Sequence, residues 1–191
     1  MAKFIIAGGR ELKGEVKLSG AKAEAPKLMI ASLLTDEPVR LDNFPKIGDT
    51  DITRELCERI GSSVSVKNGS ATLTTPSIKT SRVLELSRRN RIPILALGPL
   101  LARTLEAEVP ILGGDKIGPR PVDIHLQALR ALGAEIEITA SSYKAKAPKG
   151  LRGAAIELSF PSVGATENTV LAAVLAKGKT VVRNAALEPE I

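Results

Sequence analysis

Three stretches of the chain are apolar on nearly every side, and segments of alternating apolar and polar residues lie between them. The apolar stretches are 28–34 (LMIASLL), 92–101 (IPILALGPLL) and 165–176 (ATENTVLAAVLA). A helix at a protein surface has a single apolar stripe, so a helix that is apolar all round must be buried on most sides. The pattern therefore predicts three buried helices, the first of them opened by residues 19–22.

The intervening segments have the patterns of strands and amphipathic helices. Strands are predicted at 39–41, 109–112 and 180–183, amphipathic helices at 51–60 and 123–132, and hairpins that begin at 64–66 and 136–138. The first hairpin pairs 64–66 with 71–73 around Asn68-Gly69, a turn in which both residues tolerate positive φ. Residues 4–6 and 15–19 are predicted to form a further pair of short strands.

The order of these elements repeats along the chain. An offset of 72 residues separates Asp51 from Asp123, Gly61 from Gly133 and Val64 from Ile136. Such self-similarity is typical of repeated structural units. A third copy begins at 155–159 and continues through its apolar helix to the strand at 180–183. Residues 184–191 then stand where the amphipathic helix and hairpin would follow.

Buried helices combined with half-exposed strands predict an α/β fold turned inside out, with helices at the centre and small sheets outside. In ordinary βα units, the strands rather than the helices are continuous runs of apolar residues. We expect repeated β-α-β-α-β-β units: two complete ones at about 21–80 and 81–150, and an incomplete third at 151–191. Residues 1–20 form the separate strand pair. The incomplete unit is expected to leave apolar surface exposed.

Composition narrows the class of protein. The 191 residues are 43% hydrophobic and 25% charged, which is ordinary for a soluble globular protein. No apolar run suits a membrane span, and the amino terminus does not suit a signal peptide, so we expect a cytoplasmic protein. The net charge of +6 leaves nucleic acid or a small anionic substrate as partner. Three Phe, one Tyr and no Trp give bases little to stack on, which argues against nucleic acid.

The single cysteine and the single histidine limit the chemistry further. They exclude an internal disulfide framework and argue against a zinc site, so no metal is expected. Cys57 lies beside Leu56 and Ile60 on an amphipathic helix, and we expect a core thiol rather than a nucleophile. His125, at the start of its helix, either orients a phosphate or is a solvated helix residue; we assign it no proton transfer.

Residues 113–125 (GGDKIGPRPVDIH) join a glycine-rich turn that carries an acid, Asp115, to the start of a helix. Prolines on both sides of Arg120 fix φ, while the glycines permit conformations closed to other residues. Pro121 suits the first turn of a helix, and the helix dipole favours an acid at Asp123. The segment either lies over a bound anion and delivers a proton to it, or is an ordinary surface turn.

Basic residues precede the buried helices. Lys22 precedes the first helix, and Arg88, Arg89 and Arg91 precede the second. Helix amino termini bind anions through free N–H groups and the dipole. Together with Arg120, these residues predict a phosphate- or carboxylate-binding centre where the repeats meet; exposed charges at helix ends are the alternative. Residues 160–166 (FPSVGAT) open the third helix with small residues that admit a ligand to the backbone.

Six segments together form a recognisable set: 19–22 (SGAK), 91–92 (RI), 96–103 (ALGPLLAR), 113–125, 162–166 (SVGAT) and 184–191 (NAALEPEI). In these segments the sequence resembles the UDP-N-acetylglucosamine 1-carboxyvinyltransferases, a family of enolpyruvyl transferases. It runs in register along all 191 residues and covers about the first half of the family's usual chain. It implies two domains, each of three repeated units with internal helices, with residues 1–20 belonging to the second domain.

The resemblance also implies an activity. The family transfers the enolpyruvyl group of phosphoenolpyruvate to the 3′-hydroxyl of UDP-N-acetylglucosamine, through a tetrahedral intermediate and with release of phosphate. This is the first committed step of peptidoglycan synthesis, and so bears on cell-wall biogenesis, cell shape and cell division. No metal or redox cofactor is implied.

Residue roles follow from the same resemblance. Lys22 is expected to pair with the phosphate of phosphoenolpyruvate. Asp115 stands where most members carry a cysteine as general acid, so insensitivity to fosfomycin is expected. The nucleotide-sugar site would be lined by Arg91, Arg120, Pro121, Val122, Asp123, Ile124, Phe160, Pro161, Ser162 and Val163. Ala23 belongs to the substrate site but replaces the family's usual asparagine, which removes an amide contact.

Two readings of the function remain open. As an enzyme, the 191-residue chain is expected to show little or no turnover, because the family's second domain supplies an aspartate and further arginines that are not among these residues. The alternative is a non-catalytic nucleotide-sugar-binding or scaffold derivative. Ala23 and the short chain favour the alternative, and the intact loop around Asp115 favours the enzyme. The shikimate-pathway enolpyruvyl transferase shares the fold, but its lysine-serine opening is not seen here.

Overall fold

Helices and strands are mixed along the chain in a computed structural model that describes residues 3–87, 90–111, 113–114 and 121–191. The helices are α1 (Ala25–Ala31), α2 (Gly48–Ile60), α3 (Leu97–Thr104), α4 (Asp123–Ala131) and α5 (Val163–Ala173), with short 3₁₀ helices at Ser32–Leu34 and Ile92–Ala96. The strands are β1 (Val39–Leu41), β2 (Ser63–Lys67), β3 (Ser70–Thr74), β4 (Glu106–Pro110), β5 (Glu135–Ile138), β6 (Ser142–Lys146), β7 (Ala155–Glu157) and β8 (Val181–Arg183). The predicted α/β class is confirmed.

Each unit has its own small sheet. The first two sheets are antiparallel, with strand orders β1-β3-β2 and β4-β6-β5, and the third pairs β7 with β8 in parallel. The hairpin registers match between units, since Val64 faces Leu73 and Ile136 faces Ala145, 72 positions further on. In the second unit, an isolated parallel bridge joins Arg82 to Glu108. The segment before a buried helix therefore lies parallel to the strand after it in both the second and third units.

The buried helices form the core, as the apolar stretches predicted. Large side chains of α1 and α3 are inaccessible to solvent, among them Met29, Ile30, Leu97 and Leu100. Helices α3 and α5 lie in close contact at Gly98, where a Cβ would lie 2.9 Å from the backbone nitrogen of Ala172. Only glycine permits that approach without displacing one helix. No helix in the described ranges is long and apolar enough to cross a membrane.

The amphipathic helices join neighbouring units. Helix α2 packs both on α1 of its own unit and on the 3₁₀ helix Ile92–Ala96 of the second, while α4 packs on α5 of the third. Their buried faces include Leu56 and Ile60 on α2 and Leu126 and Leu129 on α4. Each amphipathic helix thus lies against a buried helix of the following unit.

The bounds of several elements differ from the sequence prediction, among them those of the first two buried helices and of strand β4. Helix α1 begins at Ala25 rather than within 19–22, because Pro26 occupies its first turn, where a proline without an N–H is best tolerated. The second buried helix begins as a 3₁₀ helix, also with a proline in its first turn. Strand β4 covers Glu106–Pro110 instead of 109–112, and ends where Pro110 faces Ser142. Residue 112 lies outside the described ranges.

The predicted strand pair at 4–6 and 15–19 is wrong for this structure, since residues 3–20 contain neither helix nor strand. Phe4 is 95% exposed, and Ile5, Ile6, Val16 and Leu18 are also largely exposed. A two-stranded ribbon without a surface to cover is marginal in water. The alternating pattern alone was therefore insufficient to form strands.

The third unit stays incomplete within these residues. The described segment 184–191 contains no helix or strand. On α5 and the turn after it, Val170, Val174 and Leu175 are exposed, Val174 to 59%. The apolar surface expected beside the third buried helix is therefore present.

Candidate functional site

A cavity of about 630 Å³ lies where the starts of the 3₁₀ helix Ile92–Ala96, α4 and α5 converge. Eight of the ten residues predicted for the nucleotide-sugar site line it: Arg91, Pro121, Asp123, Ile124, Phe160, Pro161, Ser162 and Val163. Val122 does not line it, because this half-buried side chain precedes α4 and packs against the hydrophobic core. Arg120, the tenth residue, lies outside the residues that the structure describes.

Arg91 joins two walls of this cavity. It directly precedes the 3₁₀ helix, and its Nη2 donates to the carbonyl oxygen of Pro121 at 3.5 Å. The contact holds the guanidinium beside the start of α4. Across the cavity, Phe160 is 63% exposed at the rim. A permanently charged group and an accessible ring thus border the same space.

The start of α5 contributes free backbone donors. Ser162 precedes the helix, and its Oγ accepts a hydrogen bond from the backbone nitrogen of Ala165 at 3.3 Å. The N–H groups of Val163 and Gly164 donate to no acceptor in the part of the chain that the structure describes. Unpaired first-turn amides and the helix dipole both favour a bound anion. The geometry suits a phosphate or diphosphate.

His125 is not a solvated helix residue, which corrects one of the two sequence interpretations. It is only 6% exposed, because α4 turns it inward on the same face as Ala128 and Leu129. Its Nδ1 lies 3.3 Å from the side-chain nitrogen of Asn168 on α5. Burial lowers the pKa of His125 to about 4; the Arg91 charge acts in the same direction, and Asp123 opposes it.

A buried ion pair closes the cavity on another side. Lys27 of α1 lies with its Nζ 2.6 Å from Oε1 of Glu167 on α5, whereas Oε2 of Glu167 has no hydrogen-bond partner among the described residues. Burial raises the pKa of Glu167, and Glu188 and Glu190 add to the effect, while Lys27 opposes it. The carboxyl group therefore takes up a proton more readily than an exposed glutamate.

Lys22 lies outside this cavity but is connected to its edge. Its Nζ is 3.7 Å from Oδ2 of Asp49 at the start of α2. Oδ1 of Asp49 is 3.4 Å from the side-chain nitrogen of Asn90, and the Asn90 carbonyl accepts from Gly113 N at 3.2 Å. Asn90 directly precedes Arg91, so this chain of contacts brings Lys22 towards the glycine-rich segment. Ala23 is exposed beside Lys22.

Two central predictions fall on residues that the structure does not describe. Asp115, the predicted general acid, and Arg120 both lie in 115–120. Their assigned roles remain predictions from the resemblance. The described neighbours of this segment, Gly114 and Pro121, lie on either side of it.

Three polar residues around the cavity were not singled out in the sequence: Lys27, Glu167 and Asn168. Glu167 and Asn168 stand together in a helix predicted to be buried, and buried polar groups in such a position require partners. These two polar residues in a predicted buried helix could therefore have been recognised from the sequence. Their partners, Lys27 on α1 and His125 on α4, are brought to α5 only by tertiary packing.

The inside-out repeat and the cavity at its helix starts agree with the family to which the sequence is assigned. The profile of the EPSP synthase (3-phosphoshikimate 1-carboxyvinyltransferase) family matches residues 6–191. The chain therefore belongs to this family of carboxyvinyl transferases.

Within it, the similar curated proteins are UDP-N-acetylglucosamine 1-carboxyvinyltransferases. The Chlamydia pneumoniae protein is 50% identical over 190 residues, covering 97% of this chain and 42% of the relative. The Caulobacter vibrioides protein is 48% identical over 196 residues, covering 100% of this chain and 46% of the relative. The chain thus spans less than half the length of these relatives.

Solved structures show the same fold at much lower sequence identity. The enolpyruvyl transferase NikO from Streptomyces tendae superposes with a TM-score of 0.78 at 21% identity, over 96% of this chain and 43% of that one. EPSP synthase from Acinetobacter baumannii gives a TM-score of 0.70 at 19% identity, over 93% of this chain and 42% of that one. The predicted enolpyruvyl transferase fold is confirmed.

Proposed function

We propose that the described cavity binds the nucleotide diphosphate of UDP-N-acetylglucosamine, and that the whole protein transfers the enolpyruvyl group of phosphoenolpyruvate to the sugar 3′-hydroxyl. One observation carries the proposal: Arg91 and the unpaired amides at the start of α5 line a single cavity. The relatives at 48–50% identity carry the name of that activity. The reaction would supply a peptidoglycan precursor in the cytoplasm, where we propose that the protein acts.

Lys22 would bind the phosphate of phosphoenolpyruvate. That phosphate leaves during the reaction, so a nearby cation stabilises the charge that develops on it. The contacts from Lys22 to Asp49, from Asp49 to Asn90 and from Asn90 to Gly113 support this role, because they connect the ammonium to the described start of the glycine-rich segment. Asp115 would protonate the enolpyruvyl methylene carbon as general acid, the role that the resemblance implies for this position.

Titration of the 191-residue chain with UDP-N-acetylglucosamine in a calorimeter tests the binding step. We expect weak binding, reduced about tenfold or more by Arg91→Met, since a charge-assisted contact is worth about 1.5–3 kcal/mol. Arg40→Met, on the exposed face of β1, is the matched control and should leave the affinity unchanged. If UDP-N-acetylglucosamine fails to bind at millimolar concentration, the proposed ligand is wrong.

Phosphate release after addition of phosphoenolpyruvate tests the chemical step. We expect little or none from these 191 residues, because the family's catalytic aspartate on the sugar side is not among them. A robust rate of phosphate release with both substrates would contradict this expectation.

A second function is favoured by one position. Ala23 lacks the amide that follows the family's lysine, which supports a nucleotide-sugar-binding protein without catalysis. If this alternative holds, the chain should bind UDP-N-acetylglucosamine but show no ³¹P shift change with phosphoenolpyruvate. Ala23→Asn would then be expected to restore the phosphoenolpyruvate response. A response already present in the unmodified chain would favour the enzyme.

We further propose that the protein is insensitive to fosfomycin. The epoxide alkylates a thiolate, and Asp115 supplies none. The single thiol, Cys57, is inaccessible, and burial raises its pKa to about 12. Mass spectrometry after incubation with fosfomycin should show unmodified chain, and an adduct on Asp115 would overturn the proposal.

A further inference from the structure

We propose that His125 acts as a neutral hydrogen-bond donor, with its Nε2–H directed at the anionic group bound by the start of α5. The identity of the anion as a diphosphate rests on the proposed function, whereas the tautomer of His125 does not. His125 would be a positioning and binding residue that uses one fixed proton and transfers none.

The imidazole ring lies along α5, with Nδ1 towards a buried residue of that helix and Nε2 towards its start. Its Nδ1 faces Asn168, which is inaccessible to solvent. At the opposite edge, a Cβ added to Gly164 would lie 3.0 Å from Cε1 and 3.2 Å from Nε2. Nε2 has no hydrogen-bond partner among the described residues, and His125 lines the cavity. The free nitrogen therefore faces Gly164, whose amide is one of the two unpaired donors at the start of α5.

Asn168 fixes which ring nitrogen carries the proton. Its side-chain nitrogen donates to the carbonyl oxygen of Ile94 at 3.2 Å and lies 3.3 Å from Nδ1 of His125. An amide nitrogen has two hydrogens, one for each contact, so Nδ1 accepts and the proton is on Nε2. The reversed amide would place its oxygen against the Ile94 carbonyl, and two acceptors would then face each other.

The surroundings keep the ring neutral. Burial is the main cause of a pKa of about 4, and Arg91 contributes in the same direction. The charge of Asp123 on α4 acts to raise the pKa of His125, but the pKa stays lowered overall. Within the described part of the chain, the other charged groups along the cavity are Glu188 and the paired Lys27 and Glu167. The ring thus donates through Nε2 across the physiological pH range, and ligand affinity should not depend on its titration.

Nitrogen NMR tests the tautomer directly, because this is the only histidine in the chain. A long-range ¹H–¹⁵N spectrum of the histidine-labelled chain at pH 7 should show Nε2 protonated and Nδ1 unprotonated. We expect no imidazole titration between pH 6 and 8. A protonated Nδ1, or titration near pH 6.5, would overturn the inference. Addition of inorganic pyrophosphate or UDP should then shift Nε2 more than Nδ1, and the absence of any shift would also overturn it.

Two substitutions distinguish the hydrogen bond donated by His125 from the packing of its side chain. His125→Gln keeps an N–H donor near the position of Nε2 and should bind UDP-N-acetylglucosamine within a few-fold of the unmodified chain. His125→Leu removes the donor and should bind about tenfold more weakly, equally at pH 6 and pH 8. If His125→Leu does not fold, the change in the Nε2 chemical shift of the labelled unmodified chain on addition of pyrophosphate or UDP still tests the inference.

The outcomes distinguish this inference from the proposed function. If UDP-N-acetylglucosamine binds equally to the unmodified chain and to folded His125→Leu, the inference is wrong and the proposed function stands. If pyrophosphate and UDP shift Nε2 but UDP-N-acetylglucosamine does not bind, the proposed nucleotide sugar is wrong and the donor role of His125 stands.

Discussion

The stability of the folded chain should fall between pH 6.5 and pH 4 because of His125. The ordinary pKa of histidine is 6.5, and burial lowers that of His125 to about 4. Above pH 6.5, both the folded and the unfolded states are neutral at this residue, so the full stability is present. As pH falls below 6.5, the unfolded chain binds a proton that the folded chain does not, and unfolding becomes more favourable. The gap between the two pKa values corresponds to about 3 kcal/mol of unfolding free energy.

Glu167 has the opposite dependence on pH. Its pKa in the folded chain is raised above the ordinary 4.5, chiefly by burial. The folded state therefore binds a proton more readily than the unfolded state. Its contribution to stability is present below pH 4.5 and is lost as pH rises through its folded pKa. A curve of unfolding free energy against pH would contain the effects of both Glu167 and His125, so the two must be separated by substitution.

Urea denaturation of the unmodified chain and of His125→Gln, at several pH values between 4 and 7.5, isolates the histidine. The advantage of the unmodified chain over His125→Gln should shrink by about 3 kcal/mol from pH 7 to pH 4. The same series in a Glu167→Gln background should give the same difference, because the carboxyl effect then cancels. Parallel curves for the unmodified chain and His125→Gln would refute the assignment of a buried, neutral histidine.

Three further outcomes are expected. Cys57 should resist alkylation in the folded chain and react only on unfolding, because its thiol is buried and its pKa is raised to about 12; rapid labelling of folded protein would contradict this. Arg103→Met should lower the free energy of unfolding in urea by about 2–4 kcal/mol, since its guanidinium donates to the carbonyl oxygens of residues 33, 35, 75 and 76. The exposed Arg40→Met should have little effect. Gly98→Ala should destabilise by about 1–2 kcal/mol, because its Cβ would meet the α5 backbone at 2.9 Å and overpacking outweighs the gain in helix propensity; a raised melting temperature would refute that close contact.

Much of the fold could be predicted because its signals are local. Helix α2 follows from the spacing of apolar positions up to Ile60, and the first hairpin follows from Asn68-Gly69, whose φ values are 51° and 74°. The 72-residue offset then extended both predictions to the second unit. For residues 3–20 the same reasoning predicted strands that do not form, because an alternating pattern forms strands only where there is a surface for them to cover.

The cavity could be predicted only in part. Residues 160–163 and Arg91, which line it, were predicted for the nucleotide-sugar site from the resemblance, and both also stand at helix starts that are recognisable in sequence. The burial of His125 was not, since it depends on which face of α4 meets α5. The contact of Lys27 with Glu167 likewise depends on the first unit meeting the third, which no local pattern encodes.

The packing of α2 and α4 across unit boundaries determines how this repeat protein unfolds. In a solenoid, units stack in a line, and an end unit can unfold while the rest remain folded. Here each amphipathic helix covers a buried helix of the next unit, so the loss of one unit would expose the core of another. The units are therefore not interchangeable modules, and their unfolding should be a single cooperative transition.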